Sequence, residues 1–191
     1  MPRSTGWRDD RRGISVIEAA IRIETFAATE HQLDSVTAIE SVSAASPWTR
    51  SQFAEEVANP LAWWGLARSG ATIVGFVGLH QVIDEGHIVN IAVDPLWRRR
   101  RVAMRLLLAA FDEGWARAIL AMTLEVRGSA ISAQRLYHRF GFVPTGIRPR
   151  YYPSTAELPA EDAVIMWTEP LAYPDQEMRV ARVRAELKVS P

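Results

Sequence analysis

The 191-residue chain carries 22 basic and 22 acidic side chains, so its formal net charge is zero, and 48% of its residues are hydrophobic. This describes one globular domain able to bury a core, with no global charge to attract nucleic acid. Cysteine is absent, which excludes a disulfide scaffold, a thiolate metal site and a cysteine nucleophile. No apolar run approaches the roughly 18 residues of a membrane span. The arginine-rich opening lacks the apolar stretch of a secretory signal, so a cytoplasmic protein without membrane contacts is expected.

Residues 1–20 sustain no apolar periodicity and are expected to form a flexible leader. Ile21–Phe26 alternates with period two and predicts a strand. Thr29 and Gln32 have capping-box spacing, and Leu33, Val36, Ile39 and Val42 continue it as a helix. Thr49 and Gln52 repeat that spacing before a second helix, which Asn59-Pro60 should end. Trp63–Arg68, a Ser69-Gly70 turn and Thr72–Val82 read as a hairpin. A turn over Asp84-Glu85-Gly86 then leads into a third strand, His87–Val93.

Val102–Ala118 predicts a helix and Ala121–Arg127 a strand. Ser129 is placed to cap a helix running to Phe140, with Gly141 just past its end. Phe142–Arg148 and Ala163–Thr168 predict closing strands joined by a loop rich in Tyr and Pro. Residues 169–191 form a charged tail in which Met178–Val189 has the makings of a short helix without an evident packing partner. The domain proper is therefore expected over residues 21–168, as a mixed α/β (α+β) sheet with helices on both faces.

The most informative stretch is Asn90–Leu108. A strand ends at Asp94-Pro95, four arginines follow (Arg98, Arg99, Arg100 and Arg101), and an apolar helix starts directly behind them. Strand end, basic turn and helix start together make backbone N–H groups and positive charge converge on an anion, such as the phosphates of a nucleotide cofactor. Four arginines alone would favour a nucleic-acid patch or solvated surface; their position between a strand ending Asp-Pro and an apolar helix favours the phosphates. Glu125 is the acid in an otherwise apolar-alternating strand, which suits either a general base or a solvent-facing residue. Tyr137 falls on the following helix, as a proton donor or a core aromatic. The four histidines, His31, His80, His87 and His138, lack metal-ligand spacing; no metal site is expected and no role is assigned to them.

Several segments carry a resemblance to a known family. They are Ser46-Pro47-Trp48-Thr49, Asp84-Glu85, Asn90–Pro95, Leu124–Arg127, Leu136-Tyr137 with Phe140–Phe142, Tyr151-Tyr152-Pro153 and Glu161–Ala163. With this order of elements, the chain resembles the GCN5-related N-acetyltransferases (GNAT) over about residues 21–168. Within them it is most similar to the type that acetylates the N-terminal alanine of a small-subunit ribosomal protein.

The resemblance implies a mostly antiparallel sheet with a splayed strand pair, acetyl-CoA as co-substrate, and a protein N-terminus as acceptor. It implies that Ile91, Ala92 and Val93 align the pantetheine arm. Arg98, Arg99, Arg100, Arg101, Val102, Ala103 and Met104 would hold the phosphates. Glu125 would be the base and Tyr137 the acid, with Trp48, Tyr151 and Tyr152 bordering the acceptor channel. Two positions depart from the family pattern. Arg101 stands where a glycine is usual, and Ala130 where relatives carry asparagine.

Overall fold

The computed structural model describes residues 20–155 and 159–189; the expected leader, apart from Ala20, lies outside them. Among the described residues, seven strands form one sheet: β1 (Ile21–Thr25), β2 (Ala62–Ser69), β3 (Thr72–Val82), β4 (Glu85–Val93), β5 (Ala121–Arg127), β6 (Val143–Tyr152) and β7 (Glu161–Trp167). Their order is β1-β2-β3-β4-β5-β7-β6. All neighbours pair antiparallel except β4 and β5. A parallel pair needs a crossover; here helix α3 (Val102–Ala116) supplies it.

Helices α1 (Glu30–Ser41) and α2 (Arg50–Val57) open on the two expected capping boxes, with Thr29 and Thr49 each accepting from the N–H three residues on. They cover one face of the sheet, over a core of Phe53, Trp64, Leu66 and Phe76. The other face packs on Leu106, Leu107 and Phe111 of α3, with Phe140 and Phe142 beside them.

The structure shifts several expected boundaries. The β3–β4 turn is two residues long, since Val82 pairs with Glu85. Ile83 takes a left-handed φ of 58° there, as tight hairpin turns require. Gly86, expected in that turn, lies in β4, where a Cβ would press on the sulfur of Met122. Helix α4 (Ile131–Arg139) is not capped by Ser129: its N-cap is Ala130, which has no side chain to cap with. Strand β6 continues past a register break between Arg148 and Tyr152, so Tyr151 and Tyr152 belong to a strand instead of the loop.

The last segment forms helix α5 (Pro174–Val189), and it has a packing partner. Val180, Val183 and Leu187 are buried in the α3 core. Each buried side chain of this size is worth about 1.5–3 kcal/mol. Arg184 pairs with Asp112 of α3, and Arg139 of α4 with Glu186. Buried Gln176 donates from Nε2 to the Phe140 carbonyl at 2.7 Å, closing the end of α4.

Candidate active site

Strands β4 and β5 pair only from Glu85 with Ala121 to Ile88 with Leu124, although β4 runs on to Val93 and β5 to Arg127. The two strands thus fork. The cause lies on β4's other side, where Leu79 pairs with Ile88 and Gly78 with Asn90, leaving Val89 as an extra residue. Such a bulge bends its strand, and it falls where the parallel ladder stops. Main-chain groups along the inner edge of the fork lose their strand partner there and suit a ligand that supplies hydrogen bonds.

A cleft of about 700 Å³ opens beside the fork. Every residue expected to contact the cofactor lines it except Arg100, whose guanidinium lies over the Trp97 ring at 5.0 Å. Arg98 donates from Nε to the Val93 carbonyl at 3.3 Å. Helix α3 begins with Arg101 as N-cap and no side-chain capping bond. Its first-turn N–H groups therefore lack intrahelical partners, and the positive end of the helix meets the cleft.

Arg101 explains why glycine is usual at its position: its φ is 60°, in the left-handed region, as is Arg99's at 64°. That conformation costs an ordinary residue about 1–2 kcal/mol. The Arg101 side chain runs to α5, donating from Nη1 to the Glu186 carbonyl at 3.1 Å. Arg105 reaches the Leu187 carbonyl at 3.4 Å.

Glu125 lies just past the last parallel pair, and its side chain is 11% exposed. It does not line the cleft. Both carboxylate oxygens are engaged: Oε2 with His87 Nε2 at 2.6 Å and Oε1 with Arg148 Nη1 at 3.2 Å. Tyr152 donates its hydroxyl to the Glu125 carbonyl at 3.3 Å and stacks under Arg127, 4.0 Å from its ring centroid. Burial, with Tyr151 adding, pushes the Tyr152 phenol up to about 12 against the opposing Arg127 charge.

Tyr137 lines the cleft and packs edge-on against Phe142, with centroids 5.9 Å apart. Burial first, and then neighbouring Tyr152, hold its phenol well above the usual tyrosine range. The Trp48 ring sits against Phe53 and Trp64, at 5.5 and 5.6 Å, and its backbone N–H donates to Glu40. Tyr151 lies under Arg148. Glu161 accepts from the Ser129 N–H and pairs with Arg127, while Asp162 accepts from the Arg150 N–H.

Sequence reasoning missed His87 and Arg148 as partners of Glu125. They lie 38 residues before it and on the far edge strand respectively. No local pattern marks either residue.

The model of the acetyltransferase (GNAT) family matches residues 27–142. The [ribosomal protein bS18]-alanine N-acetyltransferase of Escherichia coli K12 is 36% identical over 128 residues, 67% of this chain and 84% of that protein. The crystal structure of the ribosomal-protein-S18-alanine N-acetyltransferase from Escherichia coli superposes with a TM-score of 0.72 at 30% identity, covering 81% of this chain and 96% of that one. Ard1 from Thermoplasma volcanium superposes with a TM-score of 0.70 at 26% identity, covering 78% and 97%. The forked strands and the uncapped helix start are thus set in a fold and a sequence that agree: the chain belongs to the acetyltransferase (GNAT) family.

Proposed function

We propose that this acetyl-CoA-dependent N-acetyltransferase acetylates the N-terminal alanine of ribosomal protein bS18, in the cytoplasm. The observation that carries the acceptor is the 36% identity, over 84% of its length, to the Escherichia coli enzyme of that name.

The cleft fits its co-substrate. Arg98, Arg99 and the α3 N-terminus gather positive charge at one end for phosphates, and the main chain of Ile91–Val93 lines the fork for amides. Acetyl-CoA supplies an activated acyl carbon in its thioester. Glu125 accepts the proton of the attacking α-amine, directly or through water; with an ordinary amine pKa of about 7.7–8.0 the task is modest. Tyr137 stays protonated across the working range and donates a hydrogen bond to the departing sulfur. A phenol raised this far serves better as a donor than as a source of a fully transferred proton. Rate comes chiefly from holding amine and thioester together, and no enzyme-bound acyl group is needed.

The test incubates the protein with acetyl-CoA and a synthetic peptide copying the bS18 N-terminus. Mass spectrometry should find one acetyl group on the terminal amine, formed in preference to acetylated free amino acids or lysine side chains. No product, alongside CoA binding measured by calorimetry, rejects this acceptor.

A further inference from the structure

On the sheet face beneath α1 and α2, ionisable side chains form a row. Glu56 of α2 bonds His80 of β3. His80 stands directly opposite His87 of β4 in the antiparallel ladder, which places their Cβ atoms about 5 Å apart on one face. His87 bonds Glu125 of β5 at 2.6 Å, and Glu125 meets Arg148 of β6 at 3.2 Å. The hold on Glu125 is uneven. Arg148 is 52% exposed and screened by solvent, whereas the His87 side chain is 33% exposed and the Glu125 side chain 11%. His87 is therefore the closer and less screened of the two partners.

A carboxylate only accepts hydrogen bonds, so Nε2 of His87 carries the proton in this contact. While the ring is neutral, that N–H orients Oε2 and leaves the basicity of Glu125 to its other neighbours. When the ring is protonated, the carboxylate faces two cations and binds an incoming proton less well. Histidine is the side chain whose ordinary titration lies nearest neutrality. The groups facing His87 are Glu125 from β5 and His80 from β3. Arg148 lies behind Glu125 and Glu56 behind His80; a charged His80 would oppose charging of His87.

We propose that His87 is a positioning residue for acyl transfer, which aims the Glu125 carboxylate when neutral and withdraws it as a base when protonated. This rests on the reading of Glu125 as the base. The proton leaving the amine ends on Glu125 and the Nε2 proton stays on His87, so no second transfer is involved.

Two measurements test it. In the first, kcat/KM is followed against pH for the wild type, His87→Ala and His87→Gln. His87→Ala should lower kcat about tenfold or more with an unchanged KM for acetyl-CoA, as a misaimed base does. His87→Gln, whose amide still donates but does not titrate, should recover most of that activity near pH 8.5. Its acid limb should be shallower by about one proton than the wild type's. An unchanged kcat in His87→Ala, or a His87→Gln profile that superposes on the wild type's, overturns the proposal.

The second measurement needs no substrate. Proton NMR of the free enzyme should show a ring N–H signal downfield of the amides that is lost in both His87→Gln and Glu125→Ala. Its survival in Glu125→Ala overturns the His87–Glu125 bond whatever the kinetics. Inactivity of the wild type toward every amine, with the signal intact, overturns the reading of Glu125 as a base and leaves the bond standing.

Discussion

The Arg101 guanidinium donates to the Glu186 carbonyl, so the N-cap residue of α3 also ties the arginine turn before that helix to the end of α5. The last turn of a helix leaves carbonyls without intrahelical donors and carries partial negative charge, which an arginine satisfies. Arg105 does the same at Leu187. The backbone strain at Arg101 is thus offset by a tertiary contact.

Replacing Arg101 with glycine should remove the strain and the tether together. Because the side chain is engaged with α5, the proposed phosphate binding rests on the helix N–H groups with Arg98 and Arg99. The CoA dissociation constant should stay within about twofold, the scale of a near-neutral change. Calorimetry checks this. Hydrogen exchange should meanwhile speed up several-fold in the last turn of α5, as an uncapped helix end frays.

Val183 is 2% exposed and lies in the core shared with α3. Val183→Ala should cost about 2 kcal/mol, through lost transfer energy and a small cavity. Denaturant titration should show this as a lower midpoint with an unchanged slope. A cost near zero would mean that α5 is detached in solution.

Tyr137→Phe keeps the ring against Phe142 and removes the hydroxyl of a residue that lines the cleft. Thermal stability should hold, while kcat falls about tenfold to a hundredfold for loss of one donor to the leaving group. Glu125→Gln should lower kcat by about 10²–10³. The loss should be greatest below the pKa of the acceptor amine. Steady-state kinetics on the peptide separates both effects from changes in KM.

Glu40 is 2% exposed and accepts at Oε1 from the Trp48 N–H at 3.2 Å and Asn90 Nδ2 at 3.3 Å. Burial raises its pKa above the usual carboxylate value, and the two hydrogen bonds only partly oppose this. The folded chain therefore binds this proton more readily than the unfolded one. Stability falls as pH rises from the unfolded-state value through the raised folded-state value, and the loss persists at neutral pH. Glu40→Gln keeps an acceptor for both donors without a charge. Thermal melts should give a higher Tm than the wild type at pH 7–8, with the gain fading as pH drops below the ordinary carboxylate range of about 4.3.

Features written into neighbouring residues were legible in the sequence. The two capping boxes, strand β3, and the strand–turn–helix over Asn90–Leu108 depend on contacts a few positions apart. Glu125 and Tyr137 stood out through the family resemblance, which pure spacing could not supply. What escaped notice depends on the sheet order. His87 meets Glu125 only because β4 and β5 are spatial neighbours, and Arg148 reaches it across β7. The three buried apolar residues of α5, Val180, Val183 and Leu187, recur at helical spacing, but the surface that receives them belongs to a helix some seventy positions earlier. Strand β6 was cut short because Pro149 and a register break interrupt its alternation.

The extra residue Val89 has one more consequence. Side chains along a strand follow an odd–even code, and an inserted residue shifts its phase. Before Val89 the odd position His87 shares a face with His80; after it the even positions Asn90 and Ala92 take that face, opposite Gly78 and Phe76. Ile91 then falls on the far face, opposite Val77. One strand thereby keeps a polar contact for Glu125 near its start and an apolar seat under α1 near its end. Deleting Val89 would leave every other side chain of β4 on its present face in one unbroken alternation opposite β3, and would remove the bulge at which the parallel ladder to β5 stops.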